Sequence, residues 1–158
     1  MRLDRLAELL HGLLVPPRRA PDFIIGGAQR PYLNRWFLIP RNGVFNIYLH
    51  QFLRSDDDRA LHDHPWWSLS IVLKGWMLEH DLDARSAPHV RYLEAGHIRL
   101  RGAAYAHRLS LPEGRTCWTL FITGPRIREW GFHCPQGWKH WRDFTAPSDS
   151  GQIGRGCD

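Results

Sequence analysis

No part of the 158-residue chain approaches the run of about 20 apolar residues that a membrane helix requires. The apolar stretch near the N-terminus is also too broken for a signal-peptide core, because Asp4, Arg5 and Glu8 interrupt it. These absences predict a cytoplasmic protein that has no membrane partner.

Cysteine is scarce, and its spacing excludes a zinc ribbon. The three residues are Cys117, Cys134 and Cys157, an odd number without the close pairs of a zinc site. We expect three free thiols, as is usual in a reducing compartment.

Acidic residues are outnumbered, since 21 Lys and Arg face 16 Asp and Glu for a formal net charge of +5. A basic chain can hold nucleic acid or an anionic small molecule. The arginines are spread along the chain, and no RNA-binding aromatic–glycine motif or helix-turn-helix pattern accompanies them. The composition therefore disfavours nucleic acid and leaves a small anionic substrate as the expected partner.

Apolar residues are plentiful, at 43% with eight tryptophans, so the chain can bury a core as one domain. The spacing of the first leucines predicts an amphipathic helix over residues 1–15, which the Pro16-Pro17 pair would end. That helix would pack on the rest of the domain or on a second copy in a homodimer. The leucines are Leu3, Leu6, Leu10, Leu13 and Leu14.

From about residue 20 the pattern changes to short strands separated by turn residues, which is typical of an all-β sandwich or barrel. The tail from about Pro147 has few apolar groups, which predicts disorder. The expected plan is a helix and linker over 1–19, a β domain over 20–145 and a disordered tail over 146–158. The predicted strands cover residues 35–39, 44–53, 61–73, 76–81, 89–93, 97–101, 107–111, 116–123 and 129–132.

Three of the ten histidines have a spacing that suits a metal ion. His62 and His64 would point to one face of a strand, and Asp63 between them to the other. His107, from a distant strand, could complete a set of three neutral imidazoles. Such a set leaves half of an octahedral shell free, which favours an anionic ligand and dioxygen. The alternative is a metal-free pocket.

This layout resembles the two half-motifs of the cupin superfamily. The first half-motif lies at residues 59–66, and the second ends at His107. The glutamate that usually follows the His-x-His pair is missing, because Ser68 and Leu69 occupy those positions. The resemblance implies an all-β fold with a single double-stranded β-helix, or jelly-roll barrel, after the N-terminal helix.

The chain resembles two groups of cupins in particular. The segments at 43–47, 60–64 and 107–108 are similar to those of three-histidine thiol dioxygenases such as cysteine dioxygenase. Those at 59–66 and 121–138 are more closely similar to small bacterial and prophage proteins of uncharacterised function. The first resemblance implies Fe(II) as the cofactor. Zinc or nickel could be present in isolated protein, because such sites bind them more tightly. The implied ligands are His62, His64 and His107.

The thiol-dioxygenase resemblance also implies a substrate site. Arg35 lies eight residues before Gly43 of the shared segment, the position of the arginine that holds the substrate carboxylate. Leu69 and Ile122 stand where thiol dioxygenases often have a cysteine and a tyrosine whose side chains shape the reaction centre. The resemblance therefore implies that these two positions face the cavity, and their aliphatic side chains point away from cysteine as the substrate. Another small anion, or no catalysis at all, is then expected.

Several further side chains are candidates for the surroundings of the site. Tyr48 and His50 would face the cavity if their strand aligns with that of the thiol dioxygenases, although strand periodicity allows a solvent-facing His50 equally well. Tyr105 would share the face of His107 and direct its hydroxyl to the site. Of the adjacent tryptophans, we expect one in the core and one in the pocket, with Trp66 in the pocket wall and Trp67 in the core. The aromatic segment 130–141 would be a lid or a contact with a second copy.

The sequence therefore predicts a mononuclear metal-binding cupin. The leading hypothesis is an Fe(II)-dependent dioxygenase that acts on a small thiol- or carboxylate-bearing molecule. Two alternatives stay open, namely a non-catalytic ligand-binding cupin and an isomerase-type cupin with a Lewis-acid metal.

Overall fold

The structure, a computed structural model, describes residues 3–15, 19–27, 29–56 and 60–158, without the side chains of 149–153. Short strands bounded by turns dominate it, as the sequence predicts. In chain order the elements are α1 (Leu3–Leu14), β1 (Phe23–Ile25), β2 (Leu33–Phe37), β3 (Asn46–Phe52), β4 (Leu61–His62), β5 (Ser68–Lys74), β6 (Trp76–Leu82), β7 (Pro88–Glu94), β8 (Ile98–Arg101), β9 (Arg108–Ser110), β10 (Cys117–Thr123), β11 (Gly131–Cys134), β12 (Gly137–His140), α2 (Trp141–Phe144), β13 (Thr145–Ala146) and β14 (Asp149–Ile153).

Two antiparallel sheets enclose the main core. The larger has the strand order β1-β2-β3-β10-β5-β8, and the smaller has the order β7-β6-β9. Because successive side chains of a strand alternate between its faces, each sheet presents every second residue to the interior. The core cluster draws on both sheets and includes Leu33, Val72, Met77, Leu93 and Leu109. The predicted all-β barrel is confirmed.

The N-terminal helix covers the outer face of the larger sheet. Leu10 and Leu14 of α1 pack against a cluster built on Trp36, Leu49 and Leu73. The predicted helix is present, and of the two packing alternatives the structure shows contact with the barrel. The apolar stripe is narrower than predicted, since the side chains of Leu3 and Leu13 are exposed. Neither helix of the described residues has the length and apolar character of a membrane span.

The predicted strand over 61–73 is divided in two. Proline has no N–H to donate to a strand ladder, and Pro65 lies in the break between β4 and β5. The short β4 joins a third sheet of order β12-β11-β4 instead. This departure places the His62–His64 segment at the end of the barrel rather than within the main sheet. The predictions also omitted β1, α2 and β12 to β14.

The C-terminal segment is ordered, which corrects the predicted disordered tail. β13 and β14 pair with each other, and the backbone N–H groups of Gly154 and Gly156 donate to the Phe144 carbonyl. A disulfide joins Cys134 to Cys157. The prediction of three free thiols is therefore wrong as well, and Cys117 alone is free and buried. The segment has few apolar residues, but the disulfide and these hydrogen bonds hold it in place.

Candidate metal centre

Backbone pairing brings the three predicted histidines together. His62 and His107 form an isolated antiparallel bridge, in which each backbone N–H donates to the other residue's carbonyl at 2.9 Å. His64 follows two residues after His62. The candidate ligand nitrogens of all three rings lie within 4.8 Å of one another.

The arrangement of these nitrogens fits a single divalent ion. Bonds of about 2.1 Å that meet at about 90–110° separate two ligand nitrogens by about 3 Å. The Nε2 atoms of His64 and His107 are 3.0 Å apart. The three ring centroids form a nearly equilateral triangle, with sides of 5.1 to 5.2 Å. The side chains of His62, His64 and His107 could therefore bind one metal ion from one side and leave its other side open to the cavity.

His62 and His64 are held in the neutral form that metal binding requires. Burial lowers the pKa of His62 to about 4, although the nearby carboxylate of Asp56 opposes this shift. Burial, together with the neighbouring histidines, also holds the pKa of His64 well below its usual range. Both rings are therefore deprotonated at neutral pH.

A buried carboxylate that the sequence analysis missed orients His107. Oε1 of Glu79, on β6, lies 2.7 Å from Nδ1 of His107, so Nδ1 carries the proton and Nε2 is free for a metal. Burial raises the pKa of Glu79, but the hydrogen bond from His107 and the charge of Arg101 outweigh it and lower that pKa to about 2. Its two oxygens also accept from Arg101 at 2.5 Å and Arg99 at 3.1 Å. Only the alternation of β6 hinted that this glutamate points inward.

Asp63 lies on the opposite side of its segment, as alternation predicts, and is fully buried there. Its carboxylate accepts hydrogen bonds from the Gly131 backbone N–H at 2.9 Å and from Trp138 Nε1 at 3.0 Å. It also forms an ion pair with Arg128. Asp63 therefore attaches the β11–β12 hairpin beneath the histidines and is not available to a metal.

A cavity of about 280 Å³ opens beside the three histidines. Arg35 and His50 line it together, and Arg35 Nε donates to His50 Nε2 at 2.9 Å. Burial lowers the pKa of Arg35 to about 10 and holds that of His50 well below its usual range. Arg35 is thus a cation and His50 a neutral acceptor at neutral pH. The sequence left open whether His50 faces the cavity or the solvent, and in the structure it faces the cavity.

Neither of the two predicted tyrosines, Tyr48 and Tyr105, lines the cavity. The ring of Tyr48 is buried beneath Arg35, whose Cζ lies 4.8 Å from the ring centroid. Tyr105 does contact the ring of His107, at a centroid distance of 5.6 Å. Its hydroxyl, however, donates to Asp81 instead of reaching the histidines. The acceptor, Asp81, is buried on β6 on the same face as Glu79 and draws this hydroxyl away from the histidines.

Trp66 lies in the cavity wall, as predicted, and stacks on His64 with 6.4 Å between ring centroids. The neighbouring Trp67 is 40% exposed, so it is not the core residue that we expected. The 130–141 segment also contributes to the wall through Trp130 and Phe132. The segment is therefore part of the cavity wall.

The two departures from the thiol-dioxygenase pattern fall outside the cavity. Leu69 and Ile122 are partners across β5 and β10. Phe121 lines the cavity, so alternation places Ile122 and its partner on the outer face. The prediction that these two positions shape the reaction centre is wrong by one residue in each strand. The inward positions are Ser70 and Phe121, which also face each other across the pair.

No family model and no curated protein matches this chain. Several solved structures are similar to it in fold. An Fe(II) complex of HppE with its substrate matches with a TM-score of 0.52 and 17% identity, over 77% of this chain and 73% of that chain. A double-stranded β-helix protein from Klebsiella pneumoniae subsp. pneumoniae MGH 78578 matches with a TM-score of 0.51 and 13% identity, over 75% and 97% of the two chains.

This chain has a double-stranded β-helix fold. A third similar structure, a candidate mannose-6-phosphate isomerase from Ralstonia eutropha JMP134, has a TM-score of 0.50 and 18% identity over 69% of this chain and 99% of that chain. Identities this low establish the fold and not the reaction. Proteins that share one fold catalyse different reactions, so the activity must be argued from the site.

Proposed function

We propose that this cupin is a mononuclear metal-dependent enzyme that uses Fe(II) and dioxygen to act on a small thiol- or carboxylate-bearing molecule. The main support is one juxtaposition. Three histidines whose ring nitrogens lie within 4.8 Å of one another border the same cavity as a protonated arginine. The set supplies no negative charge to a divalent ion, which favours an anionic ligand beside it.

Each residue has a definite part in this proposal. His62, His64 and His107 would hold the ion, which when bound supplies a site for dioxygen activation. Arg35 would bind the substrate carboxylate through the terminal nitrogens of its guanidinium. His50 accepts from Arg35 Nε and so fixes the plane of that group. The apolar remainder of the cavity would exclude water from the reacting centre.

Metal analysis tests the first half of the proposal. Purified protein should retain about one transition metal per chain, and alanine at His62, His64 or His107 should each abolish retention. His97→Ala is the matched control, because His97 is exposed and lies outside the cavity lining. Full occupancy in His107→Ala would contradict the three-histidine site.

Oxygen uptake tests the second half and separates the alternatives. Iron-loaded protein would be screened anaerobically with cysteine, 3-mercaptopropionate and 2-oxoglutarate, and then exposed to oxygen. Uptake with any of these would support the dioxygenase proposal. Iron bound at the three histidines with no uptake and no turnover would favour a non-catalytic ligand-binding cupin. Conversion of a sugar or keto acid without oxygen consumption would favour the isomerase type.

A further inference from the structure

The cavity beside the histidines is walled mainly by aromatic rings from distant parts of the chain. They come from β1, β3, β10, β11, α2 and the segment between β10 and β11. A ligand that fills this space must bury apolar surface against ring faces and edges, which favours a ring of its own. The rings include Phe23, Phe52, Phe121, Trp130, Phe132 and Phe144.

Arg35 brings a positive charge into this apolar space. Among the described residues no carboxylate lies within ion-pair distance of Arg35, and its Nε donates to the uncharged His50. Buried charges in proteins are normally paired. Within the described residues, the Arg35 side of the cavity therefore has a charge without a counterion, where an anion could bind.

The cavity has little to offer a second charge of the opposite sign. Asp56 is the acid that lines it within the described residues. One oxygen of Asp56 already accepts from the Leu109 backbone N–H at 2.7 Å and lies 3.9 Å from Nδ1 of His62. An ammonium group would have to compete for this carboxylate on the histidine side, and without it would be buried unpaired at high cost.

The size of the cavity limits the apolar body. Its volume of about 280 Å³ lies just below the usual range of ligand pockets, about 300 to 1,000 Å³. Such a space suits one ring on a short chain better than a long acyl chain.

We propose that the occupant of this cavity is an amine-free monocarboxylate with a single aromatic ring. Arg35 binds its carboxylate, and the aromatic wall binds its ring. This inference rests on the proposed function for the location of the substrate site. It narrows the class of expected substrates from small thiol- or carboxylate-bearing molecules to aryl-substituted acids, and it disfavours amino acids.

Calorimetric titration with four probes tests the proposal on the wild-type protein, both metal-free and zinc-loaded. The probe that should bind is 3-phenylpropionate. 3-Phenylpropanamide lacks its charge, propionate lacks its ring, and phenylalanine adds an ammonium group. Each should bind at least about tenfold more weakly, the factor expected for one lost charge-assisted bond or one buried ring.

Variants locate the binding. Arg35→Met should abolish the preference for 3-phenylpropionate over its amide, and Arg35→Lys should weaken binding about tenfold, because an ammonium cannot form two parallel bonds to a carboxylate. Arg115→Met is the matched control, since Arg115 is exposed in the turn before β10. The wild-type comparison remains decisive if Arg35→Met does not fold.

The outcomes separate this inference from the metal proposal. Three results would overturn the inference. They are an equal affinity for 3-phenylpropionate and its amide, an equal affinity for 3-phenylpropionate and phenylalanine, and unchanged binding of 3-phenylpropionate in Arg35→Lys. Metal retention without 3-phenylpropionate binding overturns it and leaves the metal centre in place. Binding of 3-phenylpropionate by protein that never retains metal supports it and overturns the metal centre.

Discussion

Replacing Glu79 with glutamine removes one negative charge from the interior of the barrel and keeps the size of the side chain. The carboxylate of Glu79 has no solvent exposure. It accepts hydrogen bonds from His107, Arg101 and Arg99. Arg101 is itself buried, so the substitution leaves a buried guanidinium without its counterion.

Two routes give the same magnitude for the loss. A carboxyl pKa that falls from 4.5 to about 2 on folding corresponds to about 3 kcal/mol of stabilisation at neutral pH. Removing one partner from a buried ion pair costs roughly 3–5 kcal/mol. We therefore expect Glu79→Gln to lower the free energy of unfolding by about 3 kcal/mol at pH 7.

The direction of the pKa shift also predicts how this difference depends on pH. The folded pKa lies below the unfolded one, so the stabilisation is present above pH 4.5 and is lost as the pH falls toward 2. The gap between wild type and Glu79→Gln should narrow over that window. In addition, the metal affinity should drop about 10–100-fold, because the uncharged amide oxygen of glutamine is a weaker acceptor for His107 than the carboxylate and holds its ring less firmly.

Urea denaturation of metal-free protein measures the stability, and competition with a chelator measures the affinity. Glu129→Gln is the matched control, since Glu129 is exposed and its ion pairs with Arg126 and His140 are at the surface. Exposed pairs contribute little, so this variant should lose far less. A loss in Glu79→Gln no greater than in Glu129→Gln would refute the role assigned to the buried carboxylate.

Three further changes have expected outcomes. Cys157→Ser, which removes the link to Cys134 across 23 residues, should lower the free energy of unfolding by roughly 3 kcal/mol in urea, because the unfolded chain regains freedom. Thr119→Val should leave the free energy of unfolding unchanged or raise it by up to about 1 kcal/mol, which thermal denaturation measures. The reason is that the buried Thr119 hydroxyl has no hydrogen-bond partner among the described residues. As the pH falls from 6.5 toward 4, the free energy of unfolding of the metal-free protein should fall by about 1.4 kcal/mol per pH unit for each of His50 and His62. Burial keeps both side chains neutral in the folded protein, while in the unfolded chain they take up protons.

Each of these measurements has an internal comparison. Wild type treated with a reductant should have the same urea midpoint as Cys157→Ser. If the midpoint of both equalled that of untreated wild type, the disulfide would not stabilise the fold. A marked loss of stability in Thr119→Val would mean that its hydroxyl has a bonding partner after all. A free energy of unfolding that stays constant between pH 6.5 and 4 would contradict neutral buried histidines.

Local periodicity was enough to predict much of this protein. The two-residue spacing of His62 and His64 directs both rings one way and Asp63 the other, because strand side chains alternate with a period of two. The leucine spacing near the N-terminus is sufficient for the helix, since residues three and four apart share a helical face. Each of these features depends on neighbours within one element.

Only the tertiary structure could decide how the elements meet. Glu79 is 28 residues from His107 in sequence, and nothing in either strand alone indicates that they touch. Leu69 and Ile122 were assigned to the cavity although they lie on the outer face, because a shift of one residue exchanges the two faces of a strand. The disulfide from Cys134 to Cys157 orders a tail whose composition alone indicates disorder. Composition and spacing determine what each segment can form, but pairing between distant segments determines which side chains share a site.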